Sequence, residues 1–251
     1  MSEEKVPTGI KGLDDILNGG IPRGNLALVL GGPGVGKTIL ATQFLVNGIN
    51  EFKENGIFAT LLENPIRLKE NMAKFGWNLG ELEKSEKFRF IDASPTAPPP
   101  ITRLSGEIRL GMISIGRREF SMISLIEAIQ SAVEEINAKR IVLDSMASLI
   151  FQYADLTQRR KAILDLFESL ISSKATCIVT QEQRNLGLER GIQDEEYLAD
   201  GVIIMQRYQV GKILLRAIQI EKMKRSEIDD QPRPYKITDK GIAVFPKEVV
   251  F

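Results

Sequence analysis

Histidine is absent from this 251-residue chain. No imidazole can therefore act as base, nucleophile or metal ligand, and the usual near-neutral pH switch is missing. Proton transfer is left to carboxylates, lysines and water. Cysteine occurs once, as Cys177, so no internal disulfide can form. It sits among apolar neighbours and reads as a small core residue in a reducing compartment. Net charge is missing too, because 33 Lys+Arg balance 33 Asp+Glu. Such a chain exerts no general pull on nucleic acid or anionic membrane. No apolar run has the length of a membrane span, and the start Met1-Ser2-Glu3-Glu4-Lys5 is polar, unlike a signal peptide. A cytoplasmic location with no membrane attachment is expected.

What is present points to phosphate. The run Gly31-Gly32-Pro33-Gly34-Val35-Gly36-Lys37-Thr38 fits G-x-x-x-x-G-K-[ST]. Before it comes the apolar, strand-like stretch Leu26 to Leu30. After it, Ile39 to Leu45 is apolar at helical spacing. The loop thus joins a strand to a helix N-terminus, where unpaired N–H groups and the helix dipole favour an anion. Gly32, Pro33, Gly34, Val35, Gly36, Lys37, Thr38 and Ile39 are the expected nucleotide-binding residues. Lys37 reaches for the β- and γ-phosphates, and Thr38 offers its hydroxyl to Mg²⁺. The competing reading is a glycine-rich turn without a ligand.

Hydrophobic residues make up 43% of the chain, enough for one large domain over residues 1–251. Strand-like and helix-like segments alternate, the pattern of an α/β fold with a mainly parallel sheet. Residues 56–62, 87–91, 141–143 and 176–180 read as strands. Residues 66–74, 120–137 and 156–171 read as helices. Residues 95–118, opening with Pro95 and the Pro98-Pro99-Pro100 run, are expected to form a mobile loop or insertion. From Gly201 onward the pattern predicts successive strands that close the sheet as an antiparallel edge, with a hairpin turn at Thr238-Asp239-Lys240-Gly241.

Three carboxylate or amide positions complete a nucleotide site. Asp144 ends the apolar strand Ile141-Val142-Leu143 and suits the Mg²⁺ water shell; a helix N-cap is the alternative. Glu63 follows the second strand and can orient the attacking water if that strand neighbours the first. Otherwise it caps the helix that starts at Asn64-Pro65-Ile66. Gln181 follows the strand ending at Thr180 and can sense the γ-phosphate; otherwise it is ordinary loop polarity. Trp77 reads as packing rather than a base platform. Arg117-Arg118 and Arg159-Arg160-Lys161 read as solvated faces.

With these residues in place, the chain resembles the KaiC family of RecA-type ATPases over nearly its full length. The resemblance rests on Pro7-Thr8-Gly9-Ile10-Lys11-Gly12-Leu13-Asp14, on Leu17-Asn18-Gly19-Gly20-Ile21-Pro22-Arg23-Gly24 and on Phe75-Gly76-Trp77-Asn78-Leu79. It is extended by Ile91-Asp92-Ala93-Ser94-Pro95, by Asp144-Ser145, by Glu195-Glu196-Tyr197-Leu198-Ala199-Asp200 and by Ile237-Thr238-Asp239-Lys240-Gly241-Ile242. It implies a RecA-like core with a central twisted sheet flanked by helices. It also implies ATP and Mg²⁺ at subunit boundaries of a homo-oligomeric ring, usually a hexamer.

Four departures bear on mechanism. The clock protein carries two such domains, whereas this chain carries one. The family's paired glutamates after the second strand are reduced here to Glu63, with Leu62 in the first position, which implies slow hydrolysis. The clock protein's phosphorylated Ser-Thr pair aligns with Glu196 and Tyr197, which argues against autokinase chemistry. The family also inserts a Lys-x-Arg element into the neighbouring subunit's site. Here it reads Lys222-Met223-Lys224, followed by Arg225, so a point charge replaces a bidentate fork. Polar alternation along a strand is the competing explanation for Lys222 and Lys224.

The leading expectation is therefore a slow, Mg²⁺-dependent ATPase coupled to assembly or regulation. One alternative is a recombinase-like module that binds single-stranded DNA through residues 183–194. That loop mixes Arg184 and Arg190 with Glu189 and Asp194, a poor funnel for a strand. The other is a nucleotide-gated regulatory scaffold with little turnover and an unidentified protein partner.

Overall fold

The computed structural model describes residues 4–94, 112–114, 122–150, 153, 155–183, 194–210 and 213–250. In chain order it opens with β1 (Lys5–Val6), α1 (Leu13–Ile16) and β2 (Ile21–Pro22). The phosphate-loop strand β3 (Leu26–Gly31) and helix α2 (Lys37–Glu51) follow. Then come β4 (Gly56–Thr60), α3 (Pro65–Ala73), α4 (Leu79–Lys84), β5 (Phe88–Asp92), β6 (Met112–Ser114) and α5 (Met122–Ile136). β7 (Arg140–Asp144), α6 (Ala147–Ile150), α7 (Leu156–Ser172), β8 (Thr176–Glu182) and α8 (Asp194–Leu198) continue the alternation. The chain then runs through β9 (Gly201–Val210), β10 (Ile213–Met223), β11 (Arg233–Thr238) and β12 (Gly241–Val244).

β1 and β2 form a small antiparallel pair. The other strands form one sheet in the order β12-β11-β10-β9-β3-β8-β7-β4-β5-β6. Strands β9 through β6 run parallel, and β10, β11 and β12 continue antiparallel. The strands of the parallel part are nearly continuous apolar runs because both faces are covered. On one face Val29, Phe58, Phe90, Val142 and Ile178 pack with Leu40 and Phe44 of α2. On the other, Leu28, Ile57, Ile141 and Val179 pack with Leu125 of α5 and Phe167 of α7. The result is an α/β, RecA-like fold with antiparallel strands at the C-terminal edge.

Several expectations need correction. The second strand ends at Thr60 rather than residue 62, because the bends at 61–63 already lead into α3. It does not neighbour β3, since β8 and β7 lie between them. Within the expected antiparallel run, β9 pairs antiparallel with β10 and also parallel with β3, and so joins the two parts of the sheet. Asn64, not Glu63, caps α3 by accepting from Ile66 N at 2.8 Å, and Pro65 takes the first helical position. Of the expected insertion at 95–118, Met112–Ser114 is a strand paired with β5. The rest, including Arg117-Arg118, lies outside the described residues, as do residues 184–193. Thr238 pairs with Gly241 across the expected two-residue turn, and Gly241 has φ +101°, a left-handed conformation that glycine tolerates.

At the start of β7 stands a charge that periodicity could not reveal. Arg140 is fully buried. Its Nε donates to Glu54 Oε2 at 2.7 Å and its Nη1 to Phe44 O at 2.9 Å. The guanidinium also lies 4.5 Å from the Phe44 ring centre and 5.2 Å from that of Phe52. Arg23 reaches the other Glu54 oxygen at 2.9 Å. Gly48 of α2 makes room for this group, because an added Cβ would sit 2.4 Å from Arg140 Cδ.

Candidate functional site

Parallel strands end together at one sheet edge, and the loop after β3 is placed there. Gly34 and Gly36 hold φ of +71° and +103°, values that favour glycine and let the backbone fold back on itself. Lys37 and Thr38 begin α2. Lys37 Nζ donates to Gly31 O at 2.7 Å and to Gly32 O at 3.0 Å. The ammonium is thus held inside the curve of the loop. Burial pushes its pKa down, and the charges of Asp144 and Glu182 oppose that shift.

Asp144 ends β7 and is nearly inaccessible. Its Oδ2 accepts from Thr38 Oγ1 at 3.0 Å, and its Oδ1 accepts from the Thr180 hydroxyl. Burial raises its pKa, while the two hydroxyls and Lys37 pull it back down. The Asp144–Ser145 peptide is cis, and Met146 N bonds to Thr180 O at 2.9 Å. So the expected Thr38–Asp144 pair is brought together, although their numbers differ by 106. Among the described residues no three His, Cys, Asp or Glu side chains gather as a metal cage. One carboxylate and one hydroxyl beside a phosphate loop suit Mg²⁺, which keeps waters and takes phosphate oxygens.

The remaining expected residues are placed less directly. Glu63 is linked to Asp144 through its strand end, where Leu61 N donates to Asp144 O at 2.8 Å. Its carboxylate accepts from Asn71 Nδ2 at 2.8 Å, and Thr60 Oγ1 donates to its carbonyl at 2.6 Å. Gln181 is not in a loop. It lies inside β8, beside Leu30, and is 1% exposed. Strand alternation puts it on the face of Val179, opposite Thr180 and Asp144. The following residue, Glu182, returns to the site face in register with Gly31. Lys222 pairs with Val202 and so lies about 10 Å down the sheet from the loop's start beside Met205. There its Nζ donates to Glu196 O at 2.6 Å, and burial together with Lys224 lowers its pKa. Lys224 pairs with Asp200 at 3.2 Å. Neither lysine touches its own subunit's loop.

Four contributors were missed in the sequence. Thr180 and Glu182 carry an alternation signal that becomes legible only once β8 is known to lie between β3 and β7. Arg207 Nη2 donates to Gly34 O at 2.7 Å, and the Tyr235 hydroxyl donates to Val35 O at 2.5 Å. Nothing local marks these two. Trp77 packs in the core against Phe75, with ring centres 4.9 Å apart. Cys177 is fully buried, and burial pushes its thiol pKa well up, so it is unreactive. Among the described residues no helix is long and apolar enough to cross a membrane.

Known proteins place this geometry. A sequence profile described as the KaiC ATPase matches residues 6–249. A UPF0273 protein of Aeropyrum pernix is 34% identical over 249 residues, covering 98% of this chain and 96% of its own. The circadian clock oscillator protein KaiC of Parasynechococcus marenigrum is 33% identical over 247 residues, and this chain spans 46% of its length. The crystal structure of a KaiC-like protein from Pyrococcus horikoshii superposes with a TM-score of 0.81 at 31% identity, covering 97% of this chain and 100% of that one. The phosphate loop, the buried Asp144 and the β9–β12 edge therefore stand in a family setting: the chain is a member of the KaiC ATPase family of the RecA superfamily.

Proposed function

We propose that the chain binds ATP with Mg²⁺ at the phosphate loop and hydrolyses it slowly, at sites completed by a neighbouring copy in a ring, with turnover coupled to assembly or regulation. The convergence of Lys37, Thr38 and the buried Asp144 supports this reading most directly. Lys37 exchanges its two carbonyl partners for phosphate oxygens. Thr38 and Asp144 would hold Mg²⁺, which would supply neutralisation of charge on the phosphates. Glu63 leaves Asn71 to orient the attacking water. Lys222 and Lys224, out of reach of their own loop, leave the Glu196 carbonyl and Asp200 to meet a neighbour's phosphates.

One observation favours a lower-turnover variant, a nucleotide-gated scaffold. Leu62, in the position of the family's first glutamate, is 63% exposed, and the remaining Glu63 carboxylate is already held by Asn71. Size-exclusion chromatography with light scattering, with and without ATP–Mg²⁺, separates the two when phosphate release is assayed in the same fractions. A ring with turnover that falls in Glu63→Gln supports the ATPase. A ring without turnover supports the scaffold. A monomer under every condition removes the trans role of Lys222 and Lys224.

A further inference from the structure

Two carbonyls of the phosphate loop are held from behind. Arg207 Nη2 takes Gly34 O, and the Tyr235 hydroxyl takes Val35 O. A trans peptide is planar, so its C=O and N–H point in opposite directions. A Gly34 carbonyl drawn toward β9 turns the Val35 N–H the other way. A Val35 carbonyl drawn toward β11 does the same for the Gly36 N–H. These N–H groups belong to the set that a phosphate loop presents to an anion. A donor on the carbonyl also polarises the peptide and strengthens its N–H, by about 10–30% per bond.

The surroundings suit this grip. An added Cβ at Gly34 would lie 2.8 Å from Arg207 Nη2, so the glycine is needed for the close approach as well as for its φ. Tyr235 is buried, and burial holds its phenol pKa up, so it remains a donor throughout the neutral range. Arg216 of β10 stands directly opposite Arg207. Its Nε is buried without a partner among the described residues. Like charges placed opposite one another destabilise a strand pair, and a nearby polyanion relieves that repulsion.

We infer that Arg207 and Tyr235 are positioning residues that pre-set the loop for polyphosphate by gripping the Gly34 and Val35 carbonyls. The C-terminal ribbon thereby sets phosphate affinity without touching phosphate through these two side chains. This rests on the nucleotide reading of the loop.

Calorimetric titration tests it. Inorganic tripolyphosphate and ATP, each with Mg²⁺, are titrated into the full chain and into Tyr235→Phe, Arg207→Met and Arg207→Lys, with folding checked by circular dichroism. Tyr235→Phe is expected to weaken tripolyphosphate about fivefold and Arg207→Met roughly tenfold. Arg207→Lys should recover part of the loss, since lysine can still donate to one carbonyl. ATP should weaken by the same factors as tripolyphosphate. If folded Tyr235→Phe and Arg207→Met both bind within about twofold of the unsubstituted chain, less than one such hydrogen bond is worth, the inference fails while the ATP reading stands. If the unsubstituted chain takes up neither ligand, both fall together.

Discussion

The two ends of the central sheet both bury charge, and they treat it differently. At the start of β7, Arg140 meets Glu54, the Phe44 carbonyl and two aromatic rings. Glu54 is shared with Arg23. This charge is paired with an opposite one, although its Nη2 has no partner among the described residues. At the other end of the same strand, Asp144 is held by two hydroxyls, and the cation facing it, Lys37, is occupied with carbonyls. Burial disfavours the charged form of Arg140 as well as of Asp144 and Lys37, so the two ends differ in whether an opposite charge is paired directly with the buried one. A matched charge serves the fold, whereas a mismatched one stores affinity for something that arrives later. The contrast between these ends separates scaffold from site better than burial alone.

Substitutions at the two ends should have opposite consequences for binding and stability. The largest effect is expected for Lys37→Ala. Losing its contacts to phosphate should weaken ATP by roughly 10²–10⁴-fold in titration, with a smaller stability change than at Arg140. ATP affinity equal to that of the unsubstituted chain would sink the site assignment. Next is Arg140→Ala, which leaves the half-buried Glu54 with Arg23 alone and empties the space the guanidinium filled. A loss of about 3–5 kcal/mol in denaturant unfolding is expected, with ATP affinity of the folded fraction unchanged. If affinity falls with stability, the two ends are not separable.

Asp144→Asn should do the reverse of Arg140→Ala. It should raise the thermal midpoint of the ligand-free chain and, on the proposed reading, abolish any effect of added Mg²⁺ on ATP affinity. The pH dependence follows from the sign of the shift. Asp144's folded pKa lies above its ordinary 3.8, so ionisation opposes folding at neutral pH. That penalty fades as pH falls through the raised value and is gone below 3.8. The midpoint difference between Asp144→Asn and the unsubstituted chain should therefore shrink on acidification; a difference that grows contradicts the burial account. The smallest effect is expected for Trp77→Phe, about 1–2 kcal/mol of stability with ATP affinity unaltered. A large affinity loss there would restore Trp77 as a base platform.

What could be read in advance was whatever lies contiguous in the chain. The loop, its flanking strand and helix, and Asp144 at a strand's end follow from local pattern. Glu63 was placed by assuming that consecutive strands are neighbours, and the crossover that inserts β8 and β7 defeats that assumption. Gln181 was misplaced because β8 runs two residues beyond its apolar stretch, which turns the amide to the wrong face. Arg207 and Tyr235 are about 170 and 200 residues from their partners. Only the register of β9, β10 and β11 brings them to the loop. The Arg140 cluster shows no period at all, since its logic is one large side chain fitted against Gly48.

Gln43 ties the middle of α2 to the last hairpin, donating to Ile242 O at 3.3 Å and accepting from Ile242 N at 2.7 Å. Gly241 fits so closely beneath it that an added Cβ would sit 2.4 Å from Gln43 Oε1. A fragment cut after β10 keeps the whole phosphate motif, Asp144 and Glu63, yet it strips the hairpin tie from the helix that carries Lys37 and loses Tyr235. Excising, fusing or swapping this fold at a boundary drawn around the motif would yield a piece with the right letters and a slack loop, whereas a seam beyond Val244 keeps the instrument whole.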